Sequence, residues 1–213
     1  MFPVSDPGGA STRSGQAVPP LQAEDHVCAA CDMAYAEVSV EQAVEQIASV
    51  PDDVRRAVAA IDEGARSGVL RQRPEPTTWS VTEYACHLRD VYVTYTIRLH
   101  RARTEDRPVL EPMLNDLRVR RFRYNERDLV AVLDELAAAA AGFCEEAHRN
   151  RDEQWDRTVT RLPGEERTAR WLVRQALHEG LHHIADIRRA GESVVSRRAA
   201  EPPDPDGRPL RGG

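Results

Sequence analysis

The sequence predicts an all-α protein, a four-helix bundle with unstructured ends, on three observations. Apolar residues recur at three- and four-residue spacing over four long segments. Three of those segments open on a helix-capping residue. No stretch of strict apolar and polar alternation is long enough to build a sheet. With 213 residues, the chain can bury one full core.

Pro, Gly and Ser crowd residues 1–20, and the ending "AEPPDPDGRPLRGG" carries no apolar face, so both ends read as disordered. The expected organisation is a tail over 1–38 holding a C-x-x-C, a bundle over 39–192 and a tail over 193–213. The first helix begins at Ser39, which forms a capping box with Gln42, and runs toward Gly68 with a kink point at Pro51. The second is capped by Ser80 with Glu83 as its reciprocal partner, and Val81, Tyr84, Leu88, Val91, Tyr95 and Leu99 make its apolar stripe.

An arginine-rich connector containing "EDRPVLEP" leads to Asp128, which caps an Ala-rich third helix over 129–150. Trp155 is expected to plug the bundle end, with "TVTRLPGEERT" as a turn or small hairpin. The fourth helix is read from Thr168 to Ala190. The simplest arrangement is antiparallel, and such bundles build metal sites from facing helices.

Composition excludes several functions. A net charge of −6 argues against nucleic acid as a partner, because phosphate backbones repel an acidic surface. All the basic side chains other than histidine are arginine, which fits a GC-rich genome and rules out Schiff-base lysine chemistry and a P-loop lysine. No basic-then-apolar leader and no membrane-length apolar run is present, so a cytoplasmic protein is expected, with Cys28, Cys31, Cys86 and Cys144 reduced. "CAAC" at 28–31 has half the spacing of a zinc knuckle. A closed site needs four ligands, no second C-x-x-C follows, and His26 is the nearest third donor; the favoured reading is thiols dispensable to the bundle, with metal or redox sensing as a further alternative.

Residues 176–187 read "ALHEGLHHIADI". Around a helix of about 100° per residue, Leu172, Val173, Ala176, Leu177, Ile184 and Ile187 make the apolar face, with Glu179 and His183 at its edge. His178 and His182 fall further round, beside Gln175 and Arg189, on a side expected to face away from the bundle. His87 borders the stripe of the second helix in the same way. His87, Glu179 and His183 would give a two-His, one-carboxylate set with an open coordination place. A solvated His-rich face is the bland alternative, and His26, His100 and His148 are read as solvent-facing.

"TWSVTEYACHLRDVY" and "HEGLHHIADI" resemble segments of the DinB/YfiT-like superfamily of four-helix metalloproteins, over about Val40 to Ala190. The damage-inducible polymerase that shares the DinB name is unrelated. The resemblance implies His87, Glu179 and His183 as ligands, with a shifted register through His178 and His182 as the alternative. Glu at 179, where many members carry His, is similar to the mycothiol-dependent maleylpyruvate isomerase branch. It implies a divalent ion, Zn²⁺ or Ni²⁺, a thiol such as mycothiol, a small electrophilic substrate and a homodimer, while the lack of a membrane-length apolar run argues for no membrane partner. A thiol-dependent transferase or isomerase is the function it implies; a non-catalytic metal-binding or stress-associated protein is the alternative.

Overall fold

The computed structural model describes residues 20–63, 68–162 and 164–200. Its elements are α1 (Val40–Glu63), α2 (Val81–Thr104), a short α3 (Asn115–Arg121), α4 (Leu129–His148), a hairpin of β1 (Thr158–Thr160) and β2 (Glu166–Thr168), and α5 (Ala169–Ala200). Among the described residues no helix is long and apolar enough to cross a membrane.

The caps form as the sequence predicts. Ser39 Oγ accepts from Gln42 N at 3.2 Å while Gln42 Oε1 accepts from Ser39 N at 2.9 Å. Ser80 and Glu83 make the same reciprocal pair at 3.2 and 2.9 Å. Asp128 accepts from Val130 N at 2.9 Å. Each box satisfies two amides that would otherwise lack an intrahelical partner.

Ile47, Leu88, Leu136 and Leu172, one from each long helix, are fully buried at the common core, each worth about 1.5–3 kcal/mol relative to exposure. Trp155 is buried, and β1 pairs antiparallel with β2 from Thr158↔Thr168 to Thr160↔Glu166.

The order of the helices is not the simple antiparallel one. Around the bundle it runs α1, α5, α2, α4, so that α1 lies diagonal to α2 and α4 diagonal to α5. Arg89 reaches Glu135 and Arg103 reaches Glu146, which sets α2 and α4 parallel. Gly180 faces Val50 and Gly191 faces Ile61, which sets α1 and α5 parallel. The two parallel pairs oppose each other: Arg55 pairs with Asp134, and Cys144 Sγ reaches Val44 O. Parallel neighbours require a connection that returns along the bundle, and residues 105–128, with α3 inside them, make that return.

Two boundaries move. Residues 20–38 are not a tail: Val27 and Ala34 form an antiparallel bridge, Tyr35–Glu37 make a 3₁₀ turn, and Cys28, Met33 and Tyr35 are buried. This strap lies along α5, held by Thr168 N to Glu24 at 2.7 Å, Trp171 Nε1 to Ala23 O at 3.2 Å and Arg174 to Val38 O at 2.9 Å. Its anchors lie more than a hundred residues away in sequence, so local pattern gave no sign of them. Residues 1–19 lie outside the described residues, as do 201–213.

At the other end, α5 continues past Ala190 to Ala200. Gly191 does not stop the helix; it lies where a Cβ would run into Ile61 of α1. The extra turns bury Val194 and bring Arg197 to Glu75 at 2.8 Å and Arg198 to Gln72 at 2.9 Å.

Candidate metal centre

α5 places Glu179 and His183 one helical turn apart, and the antiparallel α2 brings His87 against them. Glu179 Oε2 lies 3.3 Å from His87 Nε2 and 3.2 Å from His183 Nε2. The two imidazoles meet edge to face with centroids 4.8 Å apart, and Trp79 and Tyr84 pack beside them at 5.1 and 5.3 Å. The three residues that the wheels put at the edges of two apolar faces thus converge.

The remaining atoms of the triad are held by neighbours. Gln175 donates to Glu179 Oε1 at 2.7 Å and in turn accepts from Tyr35 Oη at 2.7 Å. His183 Nδ1 donates to Asp186 Oδ2 at 2.8 Å. The carboxylate that fixes a ligand histidine through its second nitrogen is the usual support of a metal-binding imidazole. Gln175, which the sequence reading placed on an outward side, is buried by the strap.

Electrostatics follow this arrangement. Burial disfavours the charged form of Glu179, but hydrogen bonds from His183 and His87 outweigh it and hold the carboxyl well below its usual range. Burial lowers His87 and keeps it neutral. Burial also opposes charge on His183, yet Asp186 and Glu179 raise it to about 9. Without a metal, the centre is therefore a carboxylate between one neutral and one cationic imidazole.

A cavity of about 360 Å³ opens on His87 and Glu179. The strap supplies Leu21 and Gln22 to its wall and the returning connection supplies Met113 and Asp116, while Tyr95 and Arg98 stand on α2. The Arg98 guanidinium lies 4.8 Å over the Tyr95 ring and donates to Glu111 O at 2.5 Å. Sequence reading placed Tyr95 in an apolar stripe but missed the strap and Arg161, another wall residue; "MAYAEV" after the C-x-x-C, with its buried Met33 and Tyr35, was the one local hint.

His178 and His182 do not join His87. They turn to an adjoining flank of α5, where Cys28 and Cys31 of the strap meet them. His178 is buried rather than facing away from the protein, because the strap covers it. Burial lowers its pKa to about 4, so it is neutral. His26 is half-buried, edge-on to Tyr35 and His178 at 5.3 and 5.6 Å, whereas His100 and His148 are exposed as expected.

Residues 46–187 match the family model of the DinB superfamily, and the chain belongs to that superfamily. Among solved structures it is similar to YfiT from Bacillus subtilis, at 20% identity and a TM-score of 0.64, over 75% of this chain and 87% of that one. YfiT is described as a probable metal-dependent hydrolase with an unusual four-helix bundle topology. No curated protein matches the chain.

Proposed function

We propose that this DinB superfamily protein is a metal-dependent enzyme whose ion is held by His87, Glu179 and His183 and whose substrate is a small electrophile. The observation that carries the proposal is the pair of distances at Glu179 Oε2, 3.3 Å to His87 Nε2 and 3.2 Å to His183 Nε2. Donors about 2.0–2.1 Å from a tetrahedral ion stand about 3.3–3.4 Å apart, so both edges at Glu179 have about the length that Zn²⁺ requires, and an N₂O set also suits Ni²⁺.

A divalent ion there would supply Lewis acidity at an open position, polarising the electrophile or acidifying a thiol or water. The protein's own groups set the geometry. Asp186 fixes the His183 tautomer, and Tyr35 through Gln175 fixes the rotation of the Glu179 carboxylate. Arg98 and Tyr95 would receive an anionic group of the substrate at the cavity wall. Within this reading the nucleophile is a low-molecular-weight thiol such as mycothiol, giving transfer or isomerisation. The likeness to YfiT motivates a second reading, in which water is the nucleophile and the reaction is hydrolysis.

Metal-loaded protein offered a small activated electrophile with and without mycothiol decides between them. Turnover that needs both metal and thiol supports the first, and turnover with metal and water alone supports the second. Bound metal with neither reaction would reduce the centre to a tie between α2 and α5.

A further inference from the structure

We infer that Cys28, Cys31, His178 and His182 form a second metal site, separate from the first, which takes a zinc ion and fastens the N-terminal strap to α5. One donor atom from each residue can be chosen so that all four lie within 4.8 Å of one another. Cys28 Sγ already stands 3.5 Å from His182 Nδ1. Sulfur at about 2.3 Å and nitrogen at about 2.0–2.1 Å from a tetrahedral ion are about 3.5 Å apart, so this edge has the length zinc requires.

The donor set is of the closed kind. Two thiolates and two imidazoles, spaced C-x₂-C and H-x₃-H, match structural zinc in both chemistry and spacing. Two thiolates would also favour zinc over magnesium or calcium. The cysteines are free thiols rather than a disulfide.

The backbone is shaped for the purpose. Cys28 N donates to Met33 O at 3.0 Å and Asp32 N to Cys28 O at 2.8 Å, closing a tight knuckle that turns at Asp32 with φ of 56°. Asp is one of the few residues that tolerate that left-handed conformation. The result is that both sulfurs face α5.

His178 supplies an independent pointer. Both its ring nitrogens are buried, and neither finds a hydrogen-bond partner among the described residues. An unpartnered buried polar group costs stability, and a metal bond would satisfy one of the two nitrogens. His182 is prepared on its far side, where Nε2 lies 3.5 Å from Asp186 Oδ2.

A metal here would act on the first centre without touching it. The strap that it fastens carries Leu21 and Gln22 of the cavity wall and Tyr35, which steadies Glu179 through Gln175. Asp186 lies between the two centres, facing His182 and His183 at once. The earlier reading of "CAAC" as dispensable thiols counted only donors near in sequence, and two of the four come from α5.

Cobalt substitution of the full-length protein tests the site by a signal the first centre cannot give, because that centre has no sulfur. The unmutated protein loaded with Co²⁺ is expected to show thiolate-to-cobalt charge transfer and tetrahedral d–d bands, and its zinc form to hold about two ions per chain. Cys28→Ser with Cys31→Ser, and separately His178→Ala with His182→Ala, should each hold about one ion, with the charge-transfer band gone in the cysteine variant. His87→Ala with Glu179→Ala should keep the band while also losing one ion. Absence of the band in the unmutated reduced protein, a reading that needs no variant to fold, overturns the inference. Recovery of Cys28 and Cys31 as a disulfide under native purification with no zinc released on reduction would overturn it equally.

Discussion

Two donor pairs stand on the same stretch of α5 with the same four-residue spacing, Glu179 with His183 and His178 with His182, offset by one residue. That offset turns them about 100° apart around the helix, and it decides everything that follows. The first pair meets α2, finds His87 as a third donor and opens onto a cavity. The second meets the strap and finds Cys28 and Cys31. Equal spacing on one helix thus leads to an open nitrogen and oxygen set on one flank and a closed nitrogen and sulfur set on the other. Ligand spacing alone does not tell an open centre from a closed one; the element packed against each flank does.

The largest expected effect separates the two flanks outright. His87→Ala, Glu179→Ala and His183→Ala should each weaken metal binding at the open centre by more than about 100-fold, beyond the range for loss of a supporting partner. Equilibrium dialysis of each variant, with circular dichroism to confirm folding, checks this. If His178→Ala and His182→Ala strip the ion that sustains turnover while Glu179→Ala and His183→Ala retain it, the assignment of the two flanks is reversed.

A smaller effect is expected where the flanks meet. Asp186 supports His183 at 2.8 Å and faces His182 at 3.5 Å, so Asp186→Ala should weaken the open centre by roughly 10- to 100-fold and the sulfur set less. Competition with a chromophoric chelator measures both affinities in one preparation. An equal loss at both would mean that Asp186 serves them alike.

The smallest effects on metal binding are expected on the side of α5 that carries neither set. At Gly180 a Cβ would lie 2.6 Å from Tyr92 Oη and 2.9 Å from Val50 Cγ2, so Gly180→Ala should cost about 1–3 kcal/mol in denaturant unfolding by forcing α1 and α2 away. Tyr92→Phe removes a buried hydroxyl that has no hydrogen-bond partner among the described residues, and stability should hold or rise by up to about 1 kcal/mol. Neither change should alter metal stoichiometry. A loss of metal in either variant would show that the spacing between helices, and not the donors alone, sets the affinity.

The difference between the flanks also marks how far the sequence could be read. His87 at one stripe's border and Glu179 with His183 at another's are local facts of two amphipathic helices, and the same stripes must face each other if the core is to be buried. Their convergence was therefore legible. Cys28 and Cys31 lie in a segment with no helical period, and nothing near them in sequence indicates that residues 150 positions onward complete their surroundings. Gln175 and His178 were misplaced for the same reason: the wheel assigned them outward, and the strap that covers them has no periodicity to predict its path.

By itself, then, the sequence determined the four long helices, their caps at Ser39, Ser80 and Asp128, and the edge positions of His87, Glu179 and His183 on their helices, because hydrogen bonds within a turn and apolar spacing along a helix are set by neighbouring residues. Tertiary structure alone decided the parallel pairing of α1 with α5 and of α2 with α4, the continuation of α5 through Gly191, and the docking of the strap. Those outcomes depend on which surfaces remain to be covered once the helices meet. The final turns of α5 gain an ion pair with Glu75 and a hydrogen bond to Gln72, and the strap gains anchors at 165–175, so the partners that stabilise them come together only in the assembled bundle.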